Sequence, residues 1–420
     1  HGNATVQGTF AANGTLALDV AEGFTATTGD TFVIATASGA ITGTFDAFEG
    51  FDLAGNQAFE LIRPDQNTLA VRVTDDATAE ARGFINGDPF TPQPALPDST
   101  EDIQADLLEG LVQGVRVTGP ATAGQTPEIA TQARIAETVF ATDLSTTPTT
   151  GDVFVTFEQG LTLEGGSTVS FGASTTAESR VTFQGAQMVD GTGTLLFERA
   201  EGQTNASTLL TAPRLAAGER VTFAEGIEIA GHVDIAAQGN PLDSISVLGT
   251  LRGVAGSTLT VNGLDNDGAA VTIDGTEGRV LLTGDHTETV FEGTGTLGIA
   301  SGTEIRDVTF GLTTRLGDDD SFGDRLDVDG GLVLDQATLE IVSDENESSL
   351  VDFNGAQSVG GTGTIHLIDT DEASSTGSTL RLLGQTDLDE VLTFEAGITL
   401  RGEGQIGANS SNDNVRILGT

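Results

Sequence analysis

The stretch Phe183-Gln-Gly-Ala-Gln-Met-Val-Asp-Gly-Thr-Gly-Thr194 returns 170 residues later as Phe353-Asn-Gly-Ala-Gln-Ser-Val-Gly-Gly-Thr-Gly-Thr364. Working outward, Val221–Ile229 (VTFAEGIEI) matches Leu392–Leu400 (LTFEAGITL) at an offset of 171. Gly160–Leu163 matches Gly331–Leu334, again at 171, and Val247–Thr250 matches Ile417–Thr420 at 170. Colinear matches with one residue of drift mark an internal duplication. A further Gly-Thr-Gly-Thr at 293–296 points to smaller repeats beneath it. Within each copy short apolar-alternating runs, such as Val153–Phe157, Leu161–Leu163, Thr168–Phe171 and Arg180–Phe183, end in Gly, Asp or Asn. This is the pattern of strands separated by tight corners. The reading is all-β, with a right-handed parallel β-helix (β-solenoid) over 151–420: one strand per face, rungs ~4.8 Å apart, crossovers of the usual hand. Phe157, Phe183, Phe223, Phe291, Phe353 and Phe394 are expected to stack inside it.

The rest of the chain divides in two. Residues 1–75 read as an N-terminal β segment. Asn13-Gly14 signals a two-residue hairpin, Pro64-Asp65-Gln66-Asn67 a turn, and Leu69, Val71 and Val73 a buried strand face. Residues 76–150 hold Pro89, Pro92, Pro94, Pro97, Pro120, Pro127 and Pro148, seven of the 10 prolines, which argues against a regular sheet there. They read as a Pro-rich, partly helical connector or insertion. Ser99 would cap one helix, with Ile103, Leu107, Leu108 and Leu111 on one face. Thr126-Pro127 would start another, carrying Ile129, Ala133, Ala136 and Phe140.

Composition excludes several roles. Formal charge is −45, with 62 acidic residues against 17 basic ones, all Arg. Such a field repels phosphate backbones and offers no polybasic membrane patch, so neither nucleic acid nor membrane insertion is expected. No apolar run reaches the ~18 residues of a spanning helix. With no Cys, disulfides and thiol catalysis are excluded. His1-Gly2-Asn3 lacks an initiator Met, as in a processed or excised product.

Asp clusters are the candidate metal ligands. Asp265 and Asp267, and Asp318, Asp319, Asp320, Asp324, Asp327 and Asp329, offer the hard oxygens that Ca²⁺ takes, though Asp also simply favours turns. No cofactor is required. His1, His232, His286 and His366 have no partner at metal-ligand spacing and read as exposed strand or loop residues. Paired carboxylates for glycoside hydrolysis want sugar-stacking aromatics, and Trp and Tyr are absent, so no enzyme is expected. Thr192/Thr194, Thr294/Thr296 and Thr362/Thr364 occur too seldom for a repeating ice-binding face. The scattered Arg residues read as partners of surface acids.

Gly323-Asp-Arg-Leu-Asp-Val-Asp-Gly330, Leu332-Val-Leu334 and Ala337-Thr-Leu-Glu-Ile341 resemble the strand pattern of autotransporter-type bacterial surface β-solenoids. Asn13–Val20, Gly29–Ala35 and Thr42–Phe45 resemble the run that closes such passengers, although here it comes first. Nothing resembles that family's membrane barrel. The resemblance implies an extracellular or cell-surface, bacterial setting. The second copy stops at Thr420, where the first reads on through Leu251, so an open strand edge is expected at Val415, Ile417 and Leu418. Strands carrying Thr5, Val6, Phe10, Leu16, Leu18 and Val20 of the next chain are expected to cover it. The chain would then be a head-to-tail subunit of a filament, sheath or surface array, with itself as partner. The alternative is an adhesin passenger binding a surface glycan.

Overall fold

The computed structural model describes residues 4–7, 10–12, 15–18, 27, 30–37, 41–43, 47–49, 58–65, 68–74, 85–86, 101–105, 107–108, 111–129, 133–146, 152–172, 178–200, 206–212, 219–237, 244–317, 324–343, 348–370, 377–384 and 389–420. Among them every regular element is a strand. They fall into two units, His1–Glu101 and Asp102–Thr420.

The first unit opens as stacked coils. Ala4–Val6, Phe10–Ala12 and Thr15–Ala17 pair in parallel with Thr31–Ala37, Ile41–Gly43 and Ala47–Glu49. The Asn13-Gly14 hairpin expectation therefore fails, because the strands flanking it pair with the next coil rather than with each other. Ala58–Asp65 and Thr68–Thr74 form an antiparallel pair, as the Pro64–Asn67 turn signal predicts, and Thr68–Thr74 also joins Thr31–Ala37. Leu69, Val71 and Val73 are buried against Ala35 and Phe59, and Phe32 meets Phe59 edge-on at 6.2 Å.

The second unit is one parallel β-solenoid, and its ladder begins with Glu101–Gln104, well before residue 151. The two helices expected in 76–150 are strands. Leu111–Gln113, Val115–Gly119, Glu128–Ile129, Ala133–Phe140 and Leu144–Thr146 pair in parallel down the ladder. Ile129, Ala133, Ala136 and Phe140 are buried, and their helix-like spacing has another cause. Two period-2 runs meet at Glu137, whose φ of 46° turns the corner between Ala136 and Thr138 and resets the alternation. Pro120 and Pro127 are harmless for a related reason, and Pro89, Pro92, Pro94, Pro97 and Pro148 lie outside the described residues. Pro120 follows strand Val115–Gly119 and Pro127 precedes Glu128–Ile129, so each stands outside a strand, where no ladder donor is lost.

The solenoid core is a set of inward columns. The six Phe residues expected to stack are each fully buried, but among them only Phe157 and Phe183 stack, while Phe183 meets Phe223 and Phe353 meets Phe394 edge-on. Phe157 and Phe183 lie face to face at 4.9 Å, as do Phe171 and Phe197, which is the rung spacing read out by side chains. Corners demand glycine. Gly191 and Gly361 are mates in the duplication with φ of 92° and 86°. A side chain on either would collide with the backbone carbonyl of Leu163 or Leu334 one rung away. This explains the Gly-Thr-Gly-Thr repeat without any ligand: it is a corner where backbone stacks on backbone.

The duplication is visible strand by strand. Gln187 and Gln357 fill equivalent corners, their side-chain amides donating to the carbonyls of Phe157 and Gln184, and of Val328 and Asn354. The copies, however, do not occupy the same faces. The column from Val155 runs through Val181, Leu209, Ile235, Val261, Leu282, Ile299 and Leu316 to Ile341. Ile341 is the mate of Phe171, 170 residues earlier, and not of Val155. One repeat thus spans whole coils plus one further strand. The second copy is turned by one face of the prism.

Candidate functional site

The final coil of the second unit is its least covered part. Ile398–Gly402, Gly404–Ala408 and Asn414–Ile417 pair in parallel with Gln357–Asp369, Ser378–Leu383 and Val391–Phe394. Among the described residues no further coil lies on their other side. Ile406, Ile417 and Leu418 are 38%, 49% and 48% exposed, whereas Ile235 and Val247, the mates of Ile406 and Ile417 in the first copy, are fully buried beneath the following coil. Inward-facing Leu400 and Val415 are only partly covered, while their mates Ile229 and Ile245 are fully buried. By composition the coil is an interior one. No proline or register shift blunts it, and the charges on its strands are Arg401 and Arg416.

At the other end of the chain, Thr5, Val6, Phe10 and Leu16 fall in Ala4–Val6, Phe10–Ala12 and Thr15–Ala17, each paired on one side only among the described residues. Thr5 is exposed, while Val6, Leu16 and Leu18 lean on the small core of that unit. Val20 lies outside the described residues.

The acids expected to ligate Ca²⁺ are largely tied to arginine. Arg220 binds Asp265 at 2.7 Å and also Asp267, whose carboxyl it holds below the usual range. Asp327 pairs with Arg325 and Asp329 with Arg306, each at 2.7 Å. Asp324 is buried, with its carbonyl accepting the Leu350 N–H. Asp318, Asp319 and Asp320 lie outside the described residues. Among the described residues no three His, Asp or Glu side chains gather closely enough to hold a metal ion. Similar coil-to-coil pairs join Arg134 to Glu158 and Arg252 to Glu228. The most enclosed is Asp352, whose side chain is wholly buried between Arg381 at 2.7 Å and Arg325 at 3.0 Å. Sequence reading missed this clamp, since pattern alone does not say which Asp faces two arginines.

His286 corrects another expectation, because it is buried in the core instead of exposed. Its Nδ1 accepts the Leu264 N–H at 3.2 Å, Nε2 faces the Thr283 carbonyl at 2.9 Å, and Phe291 meets the ring edge-on. Those partners suit the neutral tautomer with its proton on Nε2. Burial pulls the imidazole down from 6.5 to about 4. The unfolded chain therefore binds the proton first as pH falls. Stability contributed by this residue is complete above about 6.5 and is lost between 6.5 and about 4, by roughly 3 kcal/mol in all. Urea unfolding at several pH values is expected to show that loss in the native chain and not in His286→Gln, the carboxylate contributions being common to both. Equal acid slopes would place His286 in water. Burial likewise pushes the half-buried Glu137 carboxyl up to about 7.

No protein-family model matches this chain, and no curated protein or solved structure matches it. Among the described residues no helix is long and apolar enough to cross a membrane. The class defined by the coordinates is a β-solenoid repeat protein.

Proposed function

We propose that this chain is a structural subunit that lengthens by coil stacking, the final coil of one molecule receiving the first coil of another. The observation that carries the reading is the exposure of Ile406, Ile417 and Leu418 on a coil whose first-copy mate is interior. Three parallel strand edges at Ile398–Gly402, Gly404–Ala408 and Asn414–Ile417 meet three at Ala4–Val6, Phe10–Ala12 and Thr15–Ala17, one per face. Addition of strands across such edges satisfies bare N–H and C=O groups and covers the apolar rim. A contact between two different ends is heterologous, and coils stacked along one axis repeat it as an open filament. A bacterial surface setting, which the autotransporter-type resemblance implies, belongs to the same proposal. So does a load-bearing role without catalysis.

Sedimentation and negative-stain microscopy of residues 1–420 test it. The native chain is expected to form end-to-end oligomers that grow with concentration. The pair Ile406→Lys/Ile417→Lys is expected to remain monomeric with an unchanged melting profile. A native chain that stays monomeric at its highest soluble concentration sinks the proposal, as does a lysine pair that polymerises normally.

A further inference from the structure

Two acids keep their places in both copies of the duplication: Glu219 and Asp243 in the first, Glu390 and Asp413 in the second. Their neighbours do not. The first copy has Arg220 after Glu219, and Pro213 before it, where the second has Val391 and Gly384. Val391 carries no charge where Arg220 carries one, while both acids recur.

The geometry in the second copy is enclosed. Glu390 and Asp413 are 8% and 7% exposed. Asp413 Oδ1 accepts the Glu390 N–H at 3.4 Å, and the Asn414 N–H donates to the Glu390 carbonyl at 2.9 Å. The second oxygen, Asp413 Oδ2, is buried and has no hydrogen-bond partner. It occupies the space that a side chain on Gly384 would fill. Glu390 Oε2 lies 3.9 Å from the corresponding point on Gly355, and the Gly355 N–H donates to the Leu383 carbonyl, next to Gly384. Gly355 and Gly384 are neighbours on adjacent rungs, and one carboxylate lies beside each. A carboxylate oxygen withdrawn from water with nothing donating to it is costly, and a positive charge at that point removes the cost.

We propose that Glu390 and Asp413 bind a calcium ion at the Gly355–Gly384 corner. Ca²⁺ accepts irregular sets of carboxylate and carbonyl oxygens, which is what a solenoid corner supplies. The ion supplies positive charge beside Asp413, whose Oδ2 has no donor. It locks the corner from which Asn414–Ile417, a strand of the final coil, departs. The site is separate from the Asp clusters that sequence alone singles out, and it does not depend on the assembly proposed above.

Thermal unfolding and calorimetric titration of residues 1–420 with CaCl₂ test this, at constant ionic strength and with MgCl₂ as a parallel arm. The native chain is expected to bind one ion tightly and to melt at higher temperature as Ca²⁺ rises. Asp413→Asn is expected to lose that ion and its melting response, yet to melt in EDTA no lower than the native chain, because it no longer buries an unpaired charge. Glu390→Gln is expected to weaken binding by about tenfold or more. Glu292→Gln, an exposed acid elsewhere, is expected to leave both readouts unchanged. Either of two results overturns the proposal: no calcium response in the native chain, or the same response in Asp413→Asn. The latter would assign the effect to counterions gathering on a surface of charge −45.

Discussion

Replacing Arg381 with methionine is expected to destabilise the second unit by about 3 to 5 kcal/mol, a large effect for a residue a third exposed. The reason lies with its partner. Asp352 has no exposed side-chain surface, and Arg381 donates to both of its oxygens, from Nε and from Nη2, at 2.7 Å each. Arg325 reaches one oxygen only, at 3.0 Å. Losing Arg381 strands a buried carboxylate with half of its partners. The converse change is mild. Asp352→Thr frees two guanidiniums that are 45% and 35% exposed and can turn to water. Its cost is expected to stay below about 1 kcal/mol. The duplication supplies the control. The mates of Asp352 and Arg381 are Thr182 and Leu210, which pair in the same register without charge. The double variant Asp352→Thr/Arg381→Leu recreates that pair and is expected to recover nearly native stability, a coupling that a double-mutant cycle in urea reads directly. If Arg381→Met shifts the urea midpoint no more than Asp352→Thr does, the clamp is an ordinary surface pair.

How far the fold could be read in advance depended on which period was sought. The β-solenoid followed from a duplication and from glycine-punctuated alternation, both of which survive in a single sequence. The helices assigned between Ser99 and Phe140 failed for a definable reason. A left-handed corner inside Ala133–Phe140 adds one residue to the alternation, and two strands so joined imitate a helical stripe. Pro120 and Pro127 did not stop the ladder, since a fold made of short strands leaves places between them where proline costs nothing. The site was half legible. Val415, Ile417 and Leu418 were named from the repeat alignment, because an interior coil keeps interior chemistry wherever it stands. The arginine partners of Asp265, Asp267 and Asp329 were not, because they sit one or more coils away, at separations set by coil length. Coil lengths vary, and sequence spacing alone does not reveal them.

The one-face turn between copies bears on how the stack tolerates damage. Each coil touches only its neighbours, so stability is close to a sum of local interfaces, and a lesion is felt nearby first. Phe183→Ala is the sharpest probe of this. The ring is fully buried, stacked on Phe157 at 4.9 Å and meeting Phe223 edge-on at 5.2 Å. Its removal is expected to cost about 3 to 5 kcal/mol, the upper part of that range reflecting two lost ring contacts as well as a cavity. Hydrogen exchange is expected to rise in Val153–Phe171, Ser179–Gln184 and Arg220–Phe223, while Ile398–Gly402 keeps its protection. Phe154→Ala provides the contrast on the adjacent, paired strand. That ring points outward, is 39% exposed and holds Arg180 at 5.6 Å, so its loss is expected to cost under about 1 kcal/mol. Inside and outside of one pair of neighbouring strands then differ several-fold in consequence, as a solenoid wall requires. Equal costs for the two alanines, or protection lost evenly from Val153 to Ile417, would contradict both the inward columns and the local character of the stack.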